Sequence, residues 1–478
     1  MEFEPVICFE IHAELKTKSK LFCRCKVDPD APANIHICPV CTGQPGTLPI
    51  LNKKAVEYCI MAGLALNCRI NSRSVFARKN YFYPDLPKGY QISQYEYPLC
   101  EEGYVEIRGD DGNPYKVGIK RIHLEEDAGK LIHSEDYYSL VDFNRAGVPL
   151  IEIVSDHKRN PIRSLQEARE YLERVRQILQ YIGVSDCIIE KGQFRCDVNI
   201  SLRKRGNKNF NDRVEIKNMA SFKFIMDALD YEIKRQSKIL DSGERIIQET
   251  RLFDEKKKIT LPMRTKEDAP DYRYFPEPDL VELRIDSKFL QNIREKMPEL
   301  PSEKIERFVR KYAIPKKDIL ILTKHKEIAD YFEECAIYCK DYKRLSSWII
   351  NELFRLMKDF SMDIKSCPVK PNSLSKLINL ISESEVTEHI GKMILEEMFA
   401  NEKDPEVIIE EKGIKVLQDR DILNSIVNEV INDNPKTVQK IKDGKLDAIN
   451  FLVGQVMKRT KGQANAKIVR EIIMEKLG

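Results

Sequence analysis

With 478 residues, 42% of them hydrophobic, the chain can bury more than one core, and at roughly 100 to 200 residues per domain it should hold two to four domains. Lys and Arg total 79 against 76 Asp and Glu, so the net charge of +3 is spread over a surface dense in both signs and singles out no partner. No stretch approaches the ~18 consecutive apolar residues of a spanning helix, and the acidic start Met1-Glu2-Phe3-Glu4 is unlike a basic, apolar secretion signal, which predicts a cytoplasmic protein that does not enter a membrane.

The first predicted strand runs from Val6 to Leu15. Its alternation puts Ile7, Phe9, Ile11, Ala13 and Leu15 on one face, and Glu10, His12 and Glu14 on the other with Val6 and Cys8. The chain has thirteen cysteines, an odd number that argues against a disulfide framework in a reducing compartment. Four of them form two pairs, Cys23-Arg-Cys25 and Cys38-Pro-Val-Cys41, as a structural Zn²⁺ site would require. The first pair has a single spacer, so four unliganded thiols are the alternative.

The segment Arg78 to Tyr95 interleaves cations with aromatics and amides. Lys79, Asn80, Tyr81, Tyr83 and Lys88 could cradle phosphate and stack on a base, as binding of a nucleotide or an RNA end demands; a structural aromatic loop is the alternative. Next, Arg121-Ile-His123-Leu-Glu125-Glu126-Asp127 packs three acids beside a histidine and an arginine, and Val148-Pro-Leu-Ile-Glu152-Ile-Val154 holds a lone carboxylate in an apolar run, costly to bury without a partner or a cation. From Phe194 to Arg203 the residues Arg195, Asp197, Asn199, Ser201 and Arg203 share one wholly polar face, and Val214 and Ile216 likewise oppose Arg213, Glu215 and Lys217. These runs predict a curved antiparallel sheet with one packed and one charged face, although half-buried strands often present polar faces merely to solvent. If the strands bring Glu10, His12, Glu125 and Glu152 together, they offer ligands for Mg²⁺ on nucleotide phosphates, with Mn²⁺ the alternative because imidazole suits magnesium poorly.

From Ser287 the texture changes to helix after helix, with Phe289, Ile293, Met297, Ile305, Phe308 and Val309 at three-to-four spacing; a break at Asn401-Glu-Lys-Asp-Pro405 precedes a last helical stretch from Val416 to Gly478. The class is therefore α+β: a cradle over residues 1–290, a helical domain over 291–405 and a helical tail over 406–478. Residues 451–478 carry six Lys or Arg against two Glu, a basic excess suited to RNA phosphate or simply a solvated helix face. The chain has no phosphate loop, no dinucleotide-binding glycine motif and no zinc-protease helix, and His389-Ile-Gly-Lys392 lies in a helical run without the rest of a synthetase signature. Any nucleotide site is of another design.

Taken in order, Val6-Ile-Cys-Phe-Glu-Ile-His12, Lys18-Ser-Lys-Leu-Phe-Cys23, Cys38-Pro-Val-Cys41, the Arg78 to Gln94 segment, His123-Leu-Glu-Glu-Asp-Ala-Gly-Lys130, Asp142-Phe-Asn-Arg-Ala-Gly-Val-Pro-Leu-Ile-Glu152, Phe194-Arg-Cys-Asp-Val-Asn199, Asp271-Tyr-Arg-Tyr-Phe-Pro-Glu-Pro-Asp279 and the Phe451 to Asn465 tail resemble the B-type family of tRNA-dependent amidotransferase subunits. The resemblance implies a cradle that uses ATP and metal to phosphorylate the side-chain carboxylate of a misacylated glutamyl- or aspartyl-tRNA, which ammonia then converts to the amide. It assigns metal binding and catalysis to Glu10, His12, Glu125 and Glu152, with Lys79, Arg195, Asp197 and Asn199 in neighbouring motifs, and tRNA contact to the tail through Lys458, Arg459 and Lys461. It also implies a separate amidase (A-type) partner as ammonia source, because this chain shows no glutaminase motif, and a small C-type partner completing a heterotrimer. Where the family usually carries Gly-Leu, this chain has Cys8-Phe9, and the zinc cysteines are not universal in the family. The competing readings are a noncatalytic tRNA-binding scaffold and a stand-alone carboxylate ligase acting on a small molecule.

Overall fold

The computed structural model describes residues 3–133, 138–207, 209, 211–265, 271–414, 417, 419–442, 446–460 and 462–477; Lys461, Val416 and Gly478 lie outside the described residues. The chain divides into two compact units, Met1–Leu300 and Pro301–Gly478.

The first unit is built on a nine-stranded sheet. In spatial order its strands are β14 (Ile259–Thr265), β13 (Glu249–Asp254), β12 (Val214–Lys217), β11 (Phe194–Lys204), β1 (Phe3–Glu14), β10 (Pro149–Ser155), β7 (Pro114–Glu126), β6 (Cys100–Arg108) and β2 (Arg69–Ile70). Neighbours run antiparallel except β12 and β13, which are parallel. The exception has a local cause: the link between that pair is a 20-residue helix, and a crossover of that length returns the chain in the same direction. Register shifts at Val154/Ser155 and Thr250/Arg251 add local bends. Smaller ladders complete the unit: β15 (Phe275–Pro276), β4 (Ala77–Asn80) and β5 (Tyr90–Ser93) form one, β16 (Leu283–Arg284) and β3 (Arg73–Ser74) another, and β8 (Lys130–His133) and β9 (Ser139–Asp142) a third.

The apolar alternation read from β1 is the packed face: Ile7, Phe9, Ile11, Ala13 and Leu15 are all buried, beside Ile122, Leu124, Ile151, Ile153, Val198 and Ile200 from the flanking strands. Helices α1 (Lys53–Ala65), α2 (Leu165–Tyr181) and α3 (Phe222–Asp241) contribute to this core. On α2, Ala168, Tyr171, Leu172, Val175 and Leu179 recur at three-to-four spacing, and the Tyr171 ring stacks on Phe9 with centroids 5.9 Å apart. The helix starts at Ser164, whose hydroxyl accepts the Glu167 amide at 3.0 Å, and α3 starts likewise at Ser221. Helix α4 (Ser287–Glu295) opens the helical run, yet its Phe289, Leu290 and Ile293 pack on this same first core.

The second unit is helical. One core gathers Phe308, Phe332, Trp348, Leu374, Ile390 and Ile394, and includes Ile408 from the helix Pro405–Lys412. Another gathers Leu423, Val427, Leu452, Val456, Ile472 and Ile473 from the helices Arg420–Asp433, Ile449–Arg459 and Ala466–Leu477. No described helix is long and apolar enough to cross a membrane.

Candidate functional site

Because the side chains of β11, β1, β10 and β7 alternate, strand register decides which polar groups meet. Arg195 pairs with His12, His12 with Glu152, and Glu152 with His123, giving one row across four strands; a second row runs Asp197, Glu10, Val154, Arg121, and on the other side Glu14, Leu150 and Glu125 are in register. All lie on the face opposite the apolar core.

Three groups from three strands converge there. His12 Nε2 lies 3.7 Å from a Glu125 oxygen and 3.9 Å from a Glu152 oxygen, and one ligand atom from each of the three falls within 4.8 Å of the others. Ligands at 2.0 to 2.1 Å from one ion are at most about 4.2 Å apart, so the set matches an octahedral cation with small adjustment. The two carboxylates suit Mg²⁺ or Mn²⁺, and the imidazole is the better ligand for Mn²⁺.

His123 closes the site from beneath. Its Nε2 is 3.0 Å from Glu152 and 3.3 Å from Glu125, and the ring is almost wholly buried. Burial opposes its charged form, but Glu152 and then Glu125 outweigh that and carry the imidazole up to about 9. In return, burial opposes ionisation of both carboxyls, and His123 overcomes it in each, so Glu125 and Glu152 are held below the usual range. Ser93 donates to Glu125 at 2.8 Å, which fixes that carboxylate's orientation.

Glu10 stands one pleat away. It accepts from Asn199 Nδ2 at 3.0 Å, and burial, followed by the charges of Glu152, Glu215 and Asp197, raises its carboxyl. Asp197 pairs with Lys217, while Arg195 holds Asp127 through two parallel bonds of 2.9 Å. Asn199 and Arg195 are thus tied into the network around the trio and do not join it.

The 78–95 segment forms a wall beside this face. Asn80 Nδ2 bonds the Tyr272 and Arg273 carbonyls, and the Lys79 ammonium lies 4.8 Å from the centre of the Tyr272 ring and 5.7 Å from that of Tyr81. The Tyr81 hydroxyl is pushed up by burial and by Asp85, Glu125 and Asp127; Tyr274 is pushed up by burial and by Glu125 and Glu152. Lys88 pairs with Glu126, and Tyr83 is exposed. The wall is joined to the Asp271–Asp279 motif by Arg78, which grips the fully buried Glu277 at 2.7 and 2.9 Å.

The four cysteines also converge: each offers a sulfur within 4.8 Å of the others, and Cys38 and Cys41 Sγ are 3.9 Å apart. A tetrahedron with 2.3 Å zinc–sulfur bonds has edges of about 3.8 Å. The Cys41 thiol is drawn down to about 4, first by the hydrogen bond from Cys23 and with help from Lys20, whose Nζ is 3.4 Å away.

In the tail, Lys458 is exposed, whereas Arg459 pairs with Glu429 and Asp433. The sequence pattern gives His123 no place in the site, although the period of two linking Arg121, His123 and Glu125 carries the signal. Nor does it give a role to Ser93, Tyr95 or Tyr274, whose approach depends on the small ladder of β15, β4 and β5.

Comparison with known proteins agrees over the full length. A family model described as the GatB/GatE catalytic domain matches residues 5–291, and one described as the GatB domain matches residues 330–477. The B-type subunit of the aspartyl/glutamyl-tRNA(Asn/Gln) amidotransferase of Caldicellulosiruptor saccharolyticus is 51% identical over 100% of this chain and 99% of its own length. Those of Thermoanaerobacter pseudethanolicus and Persephonella marina are 51% and 50% identical, each over 100% of both chains. With both halves matched and half of all positions shared with such relatives, the chain belongs to the GatB family of tRNA-dependent amidotransferase subunits.

Proposed function

We propose that this chain is the component of a tRNA-dependent, glutamine-dependent amidotransferase that activates the side-chain carboxylate of misacylated Glu-tRNA(Gln), Asp-tRNA(Asn) or both at the expense of ATP. The relatives' names support the reaction class, and the observation that carries the assignment to this face is the convergence of His12, Glu125 and Glu152 from three strands.

The chemistry needs a leaving group. A carboxylate oxygen attacks the γ-phosphorus of ATP, the bond to the bridging oxygen breaks, and ADP departs; ammonia then attacks the acyl carbon, inorganic phosphate leaves, and nitrogen loses a proton to give the amide. A divalent cation held by His12, Glu125 and Glu152 would neutralise charge on the phosphoryl oxygens. The residues prepare for it: Ser93 and His123 orient the carboxylates and keep them ionised, and Glu10 stands near for an outer or transient contact. The tyrosine wall with Lys79 and Asn80 suits the nucleotide or the acceptor end of tRNA. Zn²⁺ on Cys23, Cys25, Cys38 and Cys41 would brace the loop beside this wall. Ammonia from an amidase (A-type) partner, a small C-type partner, and tRNA contact by the tail near Lys458 complete this reading, with the cradle, the helical domain and the helical tail as its three functional parts.

The test is ATP cleavage by the assembled enzyme. It should depend strictly on misacylated tRNA and fall at least about a hundredfold in Glu125→Gln. Cleavage without tRNA, or full activity in the variant, removes the assignment; absence of any turnover in the unmodified enzyme selects a scaffold role.

A further inference from the structure

Among the described residues, five side chains each bury a polar atom that has no hydrogen-bond partner, and two of these atoms belong to Arg121 and His123, two positions apart on the polar face of β7. Buried polar groups are nearly always satisfied, so two such atoms beside one cluster mark hydrogen-bonding capacity there that the chain itself leaves unfilled. Arg121 is the more telling of the two. It lies in the row of Glu10 and Asp197, within electrostatic reach of Glu152, yet it forms no ion pair with a carboxylate within 4 Å among the described residues. Its neighbours Arg78, Arg145, Arg159 and Arg195 all do.

What Arg121 does face is aromatic. Its guanidinium carbon is 6.0 Å from the centre of the Tyr95 ring, and Tyr95 is stacked on Tyr274 at 4.2 Å with 10° between the planes. The stack limits where the guanidinium can swing while leaving its hydrogen-bond donors for an anion. A cation held this way beside a site for a dication is arranged to bind an anion that the dication also binds, and a polyphosphate fits both.

We propose that Arg121 is a phosphate-binding residue of the nucleotide site, donating to oxygens of the ATP triphosphate on the side away from His12, Glu125 and Glu152. This rests on the function proposed above and adds a substrate contact to it. The chosen source is the nucleotide, not a phosphodiester of the tRNA end, because Arg121 lies on the same strand face as the ligands expected to hold the nucleotide's metal.

The experiment uses the assembled heteromeric enzyme with the full chain, ATP and Mg²⁺, and steady-state rates at varied ATP and varied misacylated tRNA. Losing a charged hydrogen-bond donor should raise the KM for ATP about tenfold in Arg121→Lys and up to about a hundredfold in Arg121→Ala, with the KM for tRNA unchanged. Lys120→Ala, at the exposed neighbouring position, should leave both constants unchanged. If Arg121→Ala does not assemble, the lysine variant decides. An ATP KM within about twofold of the unmodified enzyme in the lysine variant, or a rise confined to tRNA, overturns the proposal. If Glu125→Gln abolishes cleavage while Arg121 variants are silent, the metal site stands and this inference alone falls; if Glu125→Gln retains cleavage, the underlying reading falls first.

Discussion

His123 on β7 and Glu152 on β10 are in direct register, and the imidazole Nε2 sits 3.0 Å from the carboxylate on the charged face of the sheet. Strand pairing thus puts a buried cation beneath the two acids that would hold a metal. His123→Ala should leave those acids buried without their partner and destabilise the metal-free protein by about 3 kcal/mol. Added Mn²⁺ or Mg²⁺ should then raise the variant's melting temperature more than it raises that of the unmodified chain, which calorimetry can compare directly. Equal shifts in the two proteins argue that His123 does not share these carboxylates with a metal.

The bond between Arg78 and Glu277 joins two sequence-distant motifs. With the Glu277 side chain fully buried, Glu277→Ala removes both of its bonds to the guanidinium and leaves Arg78 only the partly exposed Asp279, 3.1 Å away, and the Tyr90 ring, 4.2 Å from its centre. Urea unfolding should show a loss of about 3 kcal/mol for the first unit. A loss below about 0.5 kcal/mol, typical of an exposed pair, contradicts this account.

Glu14 offers a test in pH. Its carboxyl is pushed from 4.5 up to about 8, first by burial and then by Asp127. A carboxyl raised in the fold prefers its proton there, so its contribution to stability is complete below 4.5 and is lost as pH rises through 8. Glu14→Gln removes that dependence, so the melting temperature of the variant relative to the unmodified chain should climb from about pH 5 to about pH 9. A difference that stays flat across this range excludes a protonated Glu14.

The four cysteines predict bound metal. The purified protein should carry about one zinc per chain, and Cys41→Ser should lose it and melt at lower temperature. Full zinc content in the variant, or none in the unmodified chain, rules out the site.

Much of this architecture is legible because β-strands alternate strictly. The faces of β1 and β11 follow from their residues alone, and so does the company of Glu10 with His12 on one of them. Register is not legible, since His12 meets Glu152 across a strand pair whose sequences are far apart, and no local pattern sets that offset. For the same reason the sequence does not single out His123, and it groups Glu10 with the trio although the pleat moves it to Asn199. The parallel pair β12 and β13 is hidden too, because recognising α3 as a crossover requires knowing that its two strands are neighbours. The helix following Ser287 reads as the start of a new domain, but only packing reveals that its apolar face covers the first core. In the tail, Arg459 reads as a cation for RNA, while the fold supplies Glu429 and Asp433 as its partners.

The most direct measurement is Mn²⁺ binding to the full-length protein, followed by electron paramagnetic resonance with and without a non-hydrolysable ATP analogue. One site should bind the ion, tighten when the analogue is added, and weaken at least about tenfold in each of His12→Ala, Glu125→Gln and Glu152→Gln. Mn²⁺ bound with undiminished affinity in all three variants, or indifferent to the nucleotide, would contradict a metal site at these residues.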